Sequence, residues 1–147
     1  MSTKWEVKED KDGIRIRGSV DILVDPKRVP EDAYDLDFVV LTSRSDEKVL
    51  EKVLEASEAT LITPSAVKRT IRKRYIVDTV EGIKGLSDDV WVIAKDGKLA
   101  IFLYTEEGPV AIADDFPEEM LEKASDYVYG EKLREVLKKG NIGGRVF

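Results

Sequence analysis

The sequence of 147 residues contains no histidine and no cysteine. Without cysteine the chain cannot form a disulfide, a thiolate nucleophile, or a cysteine-based zinc or iron–sulfur site. Without histidine it lacks the Ser-His-Asp triad, an imidazole base near neutral pH and the commonest transition-metal ligand. Carboxylates, hydroxyls and lysines remain as catalytic groups, and we predict no metal and no other cofactor.

Glutamine is also absent, and asparagine occurs once, at Asn141, whereas charged residues make up 37% of the chain. Heat-adapted proteins favour charged side chains in surface networks and avoid side chains that deamidate. This composition predicts a thermophilic source. It carries no information about function.

Long hydrophobic runs are missing as well. A membrane-spanning helix needs about 20 apolar residues in succession, and the longest candidates are Val90–Ala94 and Leu99–Tyr104. The first residues, Met1 to Glu6, show no apolar region followed by a cleavage site. We therefore expect no membrane association and a cytoplasmic location.

The size and composition fit one domain over residues 1–147, with a loose tail at 141–147. Hydrophobic residues make up 42% of the sequence, which is enough for one core. There is no internal repeat or change of composition that would mark a second domain.

The first half of the chain is typical of strands and one helix. Asp12-Gly13 predicts a hairpin turn, and alternation from Ile14 to Val24 predicts a half-exposed strand with a bend at Gly18. Residues 36–42 read as a buried strand, and an apolar stripe predicts a helix over 46–58. A short strand at Leu61-Ile62 would complete a βαβ step over 37–63.

The second half predicts more helices and a meander. Thr63-Pro64 favours a helix over 64–75, and residues 89–113 read as a three-stranded antiparallel meander buried on both faces. Two further helices are expected after Pro117 and after Gly130. The predicted fold is α+β, with a mainly antiparallel sheet of about six strands and about four helices packed on it.

The most unusual local feature is the segment 68–74, which carries five cations and no acid in a chain of formal net charge −6. On a helix, Lys68, Arg69, Arg72 and Lys73 would share one face. Such a face could bind phosphates, because each cation near a nucleic-acid backbone releases counterions. The pattern favours an anionic partner, which could be nucleic acid or an acidic protein surface.

Residues 60–72, with the start Thr63-Pro64-Ser65, also resemble the turn and recognition helix of helix-turn-helix regulators. The resemblance covers about a tenth of the chain. It implies DNA contact through the following side chains: Ser65, Lys68, Arg69 and Arg72.

Two alternatives stay open. The basic helix could pair with the acidic segment 105–121 of the same chain or of a second subunit, which would make this an assembly protein and a homo-oligomer. The chain could instead be a small enzyme that uses carboxylates or lysine. Three acidic groups stand out for that role, namely Asp32/Asp35/Asp37, Asp88/Asp89 and Asp114/Asp115.

In the first acidic group, Asp35 and Asp37 precede the apolar run that starts at Phe38, whereas α/β sheets bind ligands beyond the carboxyl ends of their strands. Turn and cap roles account for the other two groups. The prediction from sequence is therefore a non-enzymatic binding or regulatory module, with residues 64–75 as the binding surface for an anionic partner.

Overall fold

The computed structural model describes residues 5–42, 47–64, 77–80, 82–87, 89–95, 97–105 and 108–113. These residues contain ten strands, one α-helix and one 3-10 helix. The strands are β1 (Glu6–Asp10), β2 (Gly13–Arg17), β3 (Asp21–Val24), β4 (Phe38–Val40), β5 (Thr60–Pro64), β6 (Val77–Val80), β7 (Gly82–Ser87), β8 (Val90–Lys95), β9 (Lys98–Thr105) and β10 (Gly108–Ala113). The helix α1 spans Glu47–Ser57, and the 3-10 helix spans Ala33–Asp35.

The first sheet has six strands in the order β1-β2-β3-β4-β5-β6. The strands β1, β2 and β3 pair antiparallel, whereas β3, β4, β5 and β6 run parallel to one another. The predicted hairpin at Asp12-Gly13 joins β1 to β2, and Gly13 has a φ of 130°, which a side chain would strain. The predicted βαβ step is formed by β4, α1 and β5.

The parallel part of this sheet is buried on both faces, which explains its nearly continuous apolar strands. In β3, Ile22 and Val24 pack in a core shared with the second sheet, whereas Leu23 packs in a core shared with α1. The α1 side of the sheet contacts the stripe of Leu50, Val53 and Leu54. The sequence prediction of this helix is confirmed.

The second sheet has four antiparallel strands in the order β10-β9-β8-β7. Val92 and Ile101 belong to the core between the sheets, and Trp91 and Phe102 on the alternate positions are buried too. The antiparallel meander and its burial on both faces are therefore confirmed. The layers are α1, the six-stranded sheet and the four-stranded sheet.

The predicted fold class is wrong in its main terms. The described part of the chain has two sheets and one α-helix, not one mainly antiparallel sheet with about four helices. Residues 77–80 and 82–87 form the unpredicted strands β6 and β7, and Pro64 ends β5 instead of beginning a helix. Burial on both faces of a parallel sheet accounts for the apolar run Leu61-Ile62 in β5, which shows no alternation.

The other predicted helices lie outside the described residues: the rest of 64–75, the helix after Pro117 and the helix after Gly130. The loose tail at 141–147 also lies outside them, and the single-domain organisation stays a prediction. Among the described residues there is no helix with the length and apolar character needed to cross a membrane.

Candidate functional site at the carboxyl edge of the parallel strands

The strands β3, β4, β5 and β6 end at Val24, Val40, Pro64 and Val80, on one edge of the six-stranded sheet. We call this the carboxyl edge. Ligands of open α/β sheets bind beyond such an edge, because loops with polar groups follow each strand there. The residues directly after β3 and β4 are therefore the first candidates for a functional role.

Asp25 and Thr42 lie next to each other at the carboxyl edge. One oxygen of the Asp25 carboxylate accepts a hydrogen bond from the Thr42 backbone N–H at 2.9 Å, and the other accepts one from the Thr42 hydroxyl at 2.5 Å. Asp25 has a φ of 48°, in the left-handed region that non-glycine residues seldom adopt. Strained backbone of this kind is concentrated at functional sites.

Backbone hydrogen bonds tie this pair into both sheets. The N–H of Asp25 donates to the carbonyl of Val40 at 2.9 Å, which joins the end of β3 to the end of β4. The carbonyl of Thr42 accepts the N–H of Leu99 at 2.8 Å, which joins it to β9 in the second sheet. Thr42 is 1% exposed. The carboxyl edge is therefore held in one geometry by its own donors and acceptors.

The opposite end of the same strands carries a cluster of charges, which we call the arginine–aspartate cluster: Arg15, Arg17, Asp21 and Asp32. The Arg15 guanidinium binds Asp21 with two hydrogen bonds, of 2.5 and 2.8 Å, and Asp32 with one of 2.9 Å. Arg17 also pairs with Asp32. The charges compensate one another, so this cluster is structural.

The ionisation of this cluster follows from its contacts. Burial by itself lowers the pKa of Arg15, but the hydrogen bonds and negative charges of Asp21 and Asp32 outweigh burial and raise it above its ordinary value. The hydrogen bond from Arg15 lowers the pKa of Asp32. Both groups are therefore charged at neutral pH, and neither is suited to proton transfer there.

The acidic group Asp32/Asp35/Asp37 lies at the amino end of β4, as the sequence predicted. Asp32 is bound to arginines, and the carboxylate of Asp37 accepts the N–H of Asp21 at 2.8 Å. Asp89 lies in the turn between β7 and β8. Asp88, Asp114 and Asp115 lie outside the described residues.

The residues predicted to bind an anionic partner, Ser65, Lys68, Arg69, Arg72 and Lys73, also lie outside the described residues. Their role as a binding surface is untested, as are the proposed partners and the homo-oligomer. The described part of the acidic segment 105–121 is Thr105 and the strand β10.

Sequence reasoning missed Asp25 and Thr42. Asp25 follows the apolar strand β3 directly, and Thr42 follows β4 after Leu41; this position was the available signal. The parallel pairing of β3 with β4, which places both residues on one edge, was not predicted. The sequence by itself indicates a loop at Asp25 and the end of a strand at Thr42.

No known family pattern matches the sequence, and no curated protein sequence matches it. Solved structures do match in three dimensions. An N-acyl homoserine lactone hydrolase with the product N-hexanoyl-L-homoserine at its catalytic metal centre is 15% identical, with a TM-score of 0.53 over 91% of this chain and 78% of the other.

Two further structures agree with this match. A variant of the B. thuringiensis protein AiiA with N-decanoyl-L-homoserine at its active site is 16% identical, with a TM-score of 0.52 over 91% of this chain and 78% of the other. A quorum-quenching N-acyl homoserine lactone hydrolase is 17% identical, with a TM-score of 0.51 over 96% of this chain and 76% of the other.

At these identities the comparison shows the fold alone, which this chain shares with N-acyl homoserine lactone hydrolases. It contradicts the prediction of a non-enzymatic module for an anionic partner such as nucleic acid, because the solved structures that share the fold include lactone hydrolases. The helix-turn-helix resemblance fails with it, since residues 60–64 form a strand of a parallel sheet.

The fold raises the question whether this chain can hold a catalytic metal. Zinc sites in proteins are built from cysteine, histidine and carboxylate ligands, and the sequence has neither of the first two. Among the described residues, no three acidic side chains form a group that could hold a metal ion. The composition and the described residues therefore do not supply the ligands of a catalytic zinc site, whereas the first of these structures has a catalytic metal centre.

Proposed function

We propose that this chain is an enzyme that hydrolyses a small carboxylic ester or lactone at the carboxyl edge. The observation that carries the proposal is the shared fold, which extends over 91% to 96% of the chain in the matched lactone hydrolases. A fold alone hosts many functions. The second support is the hydrogen-bonded and strained pair of Asp25 and Thr42, which lies where this class of sheet binds ligands.

Ester hydrolysis needs a water molecule brought to the carbonyl carbon, a base that accepts its proton and donors for the developing oxyanion. In this sequence the base must be a carboxylate, a lysine or a tyrosine, because histidine and cysteine are absent. Backbone N–H groups can serve as the oxyanion donors.

Asp25 has a positioning role in this proposal. Both of its carboxylate oxygens are bound to Thr42, and through Thr42 it fixes the chain that leaves β4. Misplacement of reacting groups by about 1 Å can lower a rate about a hundredfold. Loss of the Asp25 carboxylate should therefore lower kcat more than it changes KM.

The test is hydrolysis of the N-hexanoyl and N-decanoyl homoserine lactones, measured by proton release at constant pH and by chromatography of the acid product. Wild type is compared with Asp25→Asn and with Glu9→Gln, an exposed side chain on β1. We expect turnover above background in wild type and in Glu9→Gln, and about ten- to hundredfold lower kcat in Asp25→Asn. No acceleration of either lactone by wild type would overturn the proposal.

A further inference from the structure

We infer that this chain is organised without a transition-metal centre, although one of the hydrolases that share its fold has a catalytic metal centre, and that hydrogen bonds around Asp25 and Thr42 order the carboxyl edge instead. This inference concerns the ligands and the ordering of the edge, so it holds for any substrate. It can be tested separately from lactone hydrolysis.

The first argument is the donor set. Zinc is held by thiolate, imidazole and carboxylate, and catalytic zinc sites keep three protein ligands with one open position. Nitrogen and sulfur ligands give such sites their preference for transition metals over calcium and magnesium. The sequence supplies neither imidazole nor thiolate at any of its 147 positions.

The second argument is that four described carboxylates near the two ends of β3 and β4 bind donors of the protein itself. At the carboxyl edge, Asp25 binds Thr42. At the opposite end, Asp21 and Asp32 are bound to arginines, and Asp37 binds a backbone N–H. Within the described chain these carboxylates do not converge on a common point.

The third argument is that the carboxyl edge is already ordered. A bound metal fixes the loops that supply its ligands and so contributes to folding. Here the Asp25 carboxylate holds Thr42, the Thr42 carbonyl holds Leu99 of the second sheet, and the Asp25 N–H holds Val40. These bonds connect the ends of β3 and β4 to β9 through donors and acceptors of the chain itself.

The experiment uses the full chain with its purification tag removed, because a polyhistidine tag would supply the ligands that the chain lacks. The protein is incubated with ZnCl₂ or MnCl₂, desalted, and its metal content is measured by plasma mass spectrometry. Thermal unfolding is followed in parallel with added metal and with EDTA. An ion that binds the native state raises Tm as its concentration passes Kd.

We expect no stoichiometric zinc or manganese in wild type, and the same Tm with metal and with EDTA. In Asp25→Asn, Tm should fall by the same amount in both solutions. Zinc or manganese retained at about one ion per chain, with a Tm that metal raises and EDTA lowers, would overturn the inference. The wild-type measurement decides the matter even if the variant does not fold.

The two proposals fail in different ways. Lactone turnover that requires added zinc, together with stoichiometric zinc binding, would keep the proposed function and overturn this inference. Absence of both turnover and metal binding would keep this inference and overturn the proposed function. Turnover in EDTA without bound metal supports both.

Discussion

The Asp25 carboxylate accepts both the backbone N–H and the hydroxyl of Thr42, and these two residues follow neighbouring parallel strands. Their pairing joins the ends of β3 and β4. Since Thr42 is buried and also accepts the N–H of Leu99, the pair links the two sheets at the carboxyl edge. Three predictions on stability concern this pair and two other contacts, those of Arg15 with Asp32 and of Gly18 with Trp5.

The first prediction concerns the pair itself. Asp25→Asn should lower the free energy of unfolding by about 1–3 kcal/mol, because a charged acceptor with two buried donors is lost. Asparagine tolerates the left-handed φ, so the change isolates the carboxylate. Thr42→Val should cost about 1 kcal/mol by removing the hydroxyl alone. Urea unfolding of both single variants and the double variant measures the coupling.

In that cycle the double variant should be less destabilised than the sum of the two single variants. Additive effects would mean that the hydroxyl and the carboxylate do not interact in solution. Such a result would remove the structural basis for treating Asp25 as the residue that orders the carboxyl edge.

The second prediction concerns acid stability. Because Arg15 lowers the pKa of Asp32 below its ordinary value of 3.8, the folded state binds a proton at Asp32 less readily than the unfolded state does. Asp32 therefore stabilises the folded state above its ordinary pKa, and this stabilisation is lost as pH falls through its lowered pKa. The free energy of unfolding of wild type, measured with urea, should therefore decrease as pH falls over this range.

Asp32→Asn is the matched control for that measurement. Its free energy of unfolding at neutral pH should be lower than that of wild type by about 1 kcal/mol or less, since Asp32 is partly exposed and Arg15 keeps Asp21 as a partner. Its unfolding free energy should also depend less on pH below about 4 than that of wild type. If the unfolding free energies of both proteins depend equally on pH below about 4, the role of Asp32 is contradicted.

The third prediction concerns Gly18, which lies between β2 and β3 with Trp5 over it. A methyl group on Gly18 would lie 2.5 Å from Cδ2 and 2.7 Å from Cζ3 of the Trp5 ring, which is closer than real contacts allow. Gly18→Ala should therefore lower the free energy of unfolding by about 1–3 kcal/mol. Thermal or urea unfolding measures this change.

Trp5→Leu provides the matched background for Gly18→Ala. Trp5→Leu by itself lowers the free energy of unfolding because it leaves a cavity. Gly18→Ala should lower it less in this background than in wild type, because the ring that the methyl group would contact is absent. An equal cost in both backgrounds would show that the strain arises from the backbone of Gly18 and not from Trp5.

Sequence reasoning predicted the local elements better than their arrangement. The hairpin at Asp12-Gly13, the helix α1, the βαβ step and the meander of β8, β9 and β10 are all signalled by nearby residues, through turn chemistry and periodicity. The parallel pairing of β3 with β4 joins Val24 to Val40, which are far apart in sequence. No local pattern indicates such a pairing.

The same limit explains the missed site. The sequence indicates a turn at Asp25, because Pro26 follows it, and the end of a strand at Thr42. Only the pairing in space makes them neighbours. The basic segment 68–74, in contrast, can be recognised from the sequence alone because its like charges are consecutive or nearly so. Its part in function is untested.

The central claim is that small acyl esters and their products bind at the carboxyl edge. The most direct test is a titration of ¹⁵N-labelled protein with N-hexanoyl-L-homoserine, followed by amide chemical shifts, with hexanoate as a control for the charge of the carboxylate. We predict saturable shifts at Asp25, Thr42 and Val80 that hexanoate does not reproduce. Shifts that are absent there, or that occur with both compounds only around Arg15 and Asp21, would contradict the account.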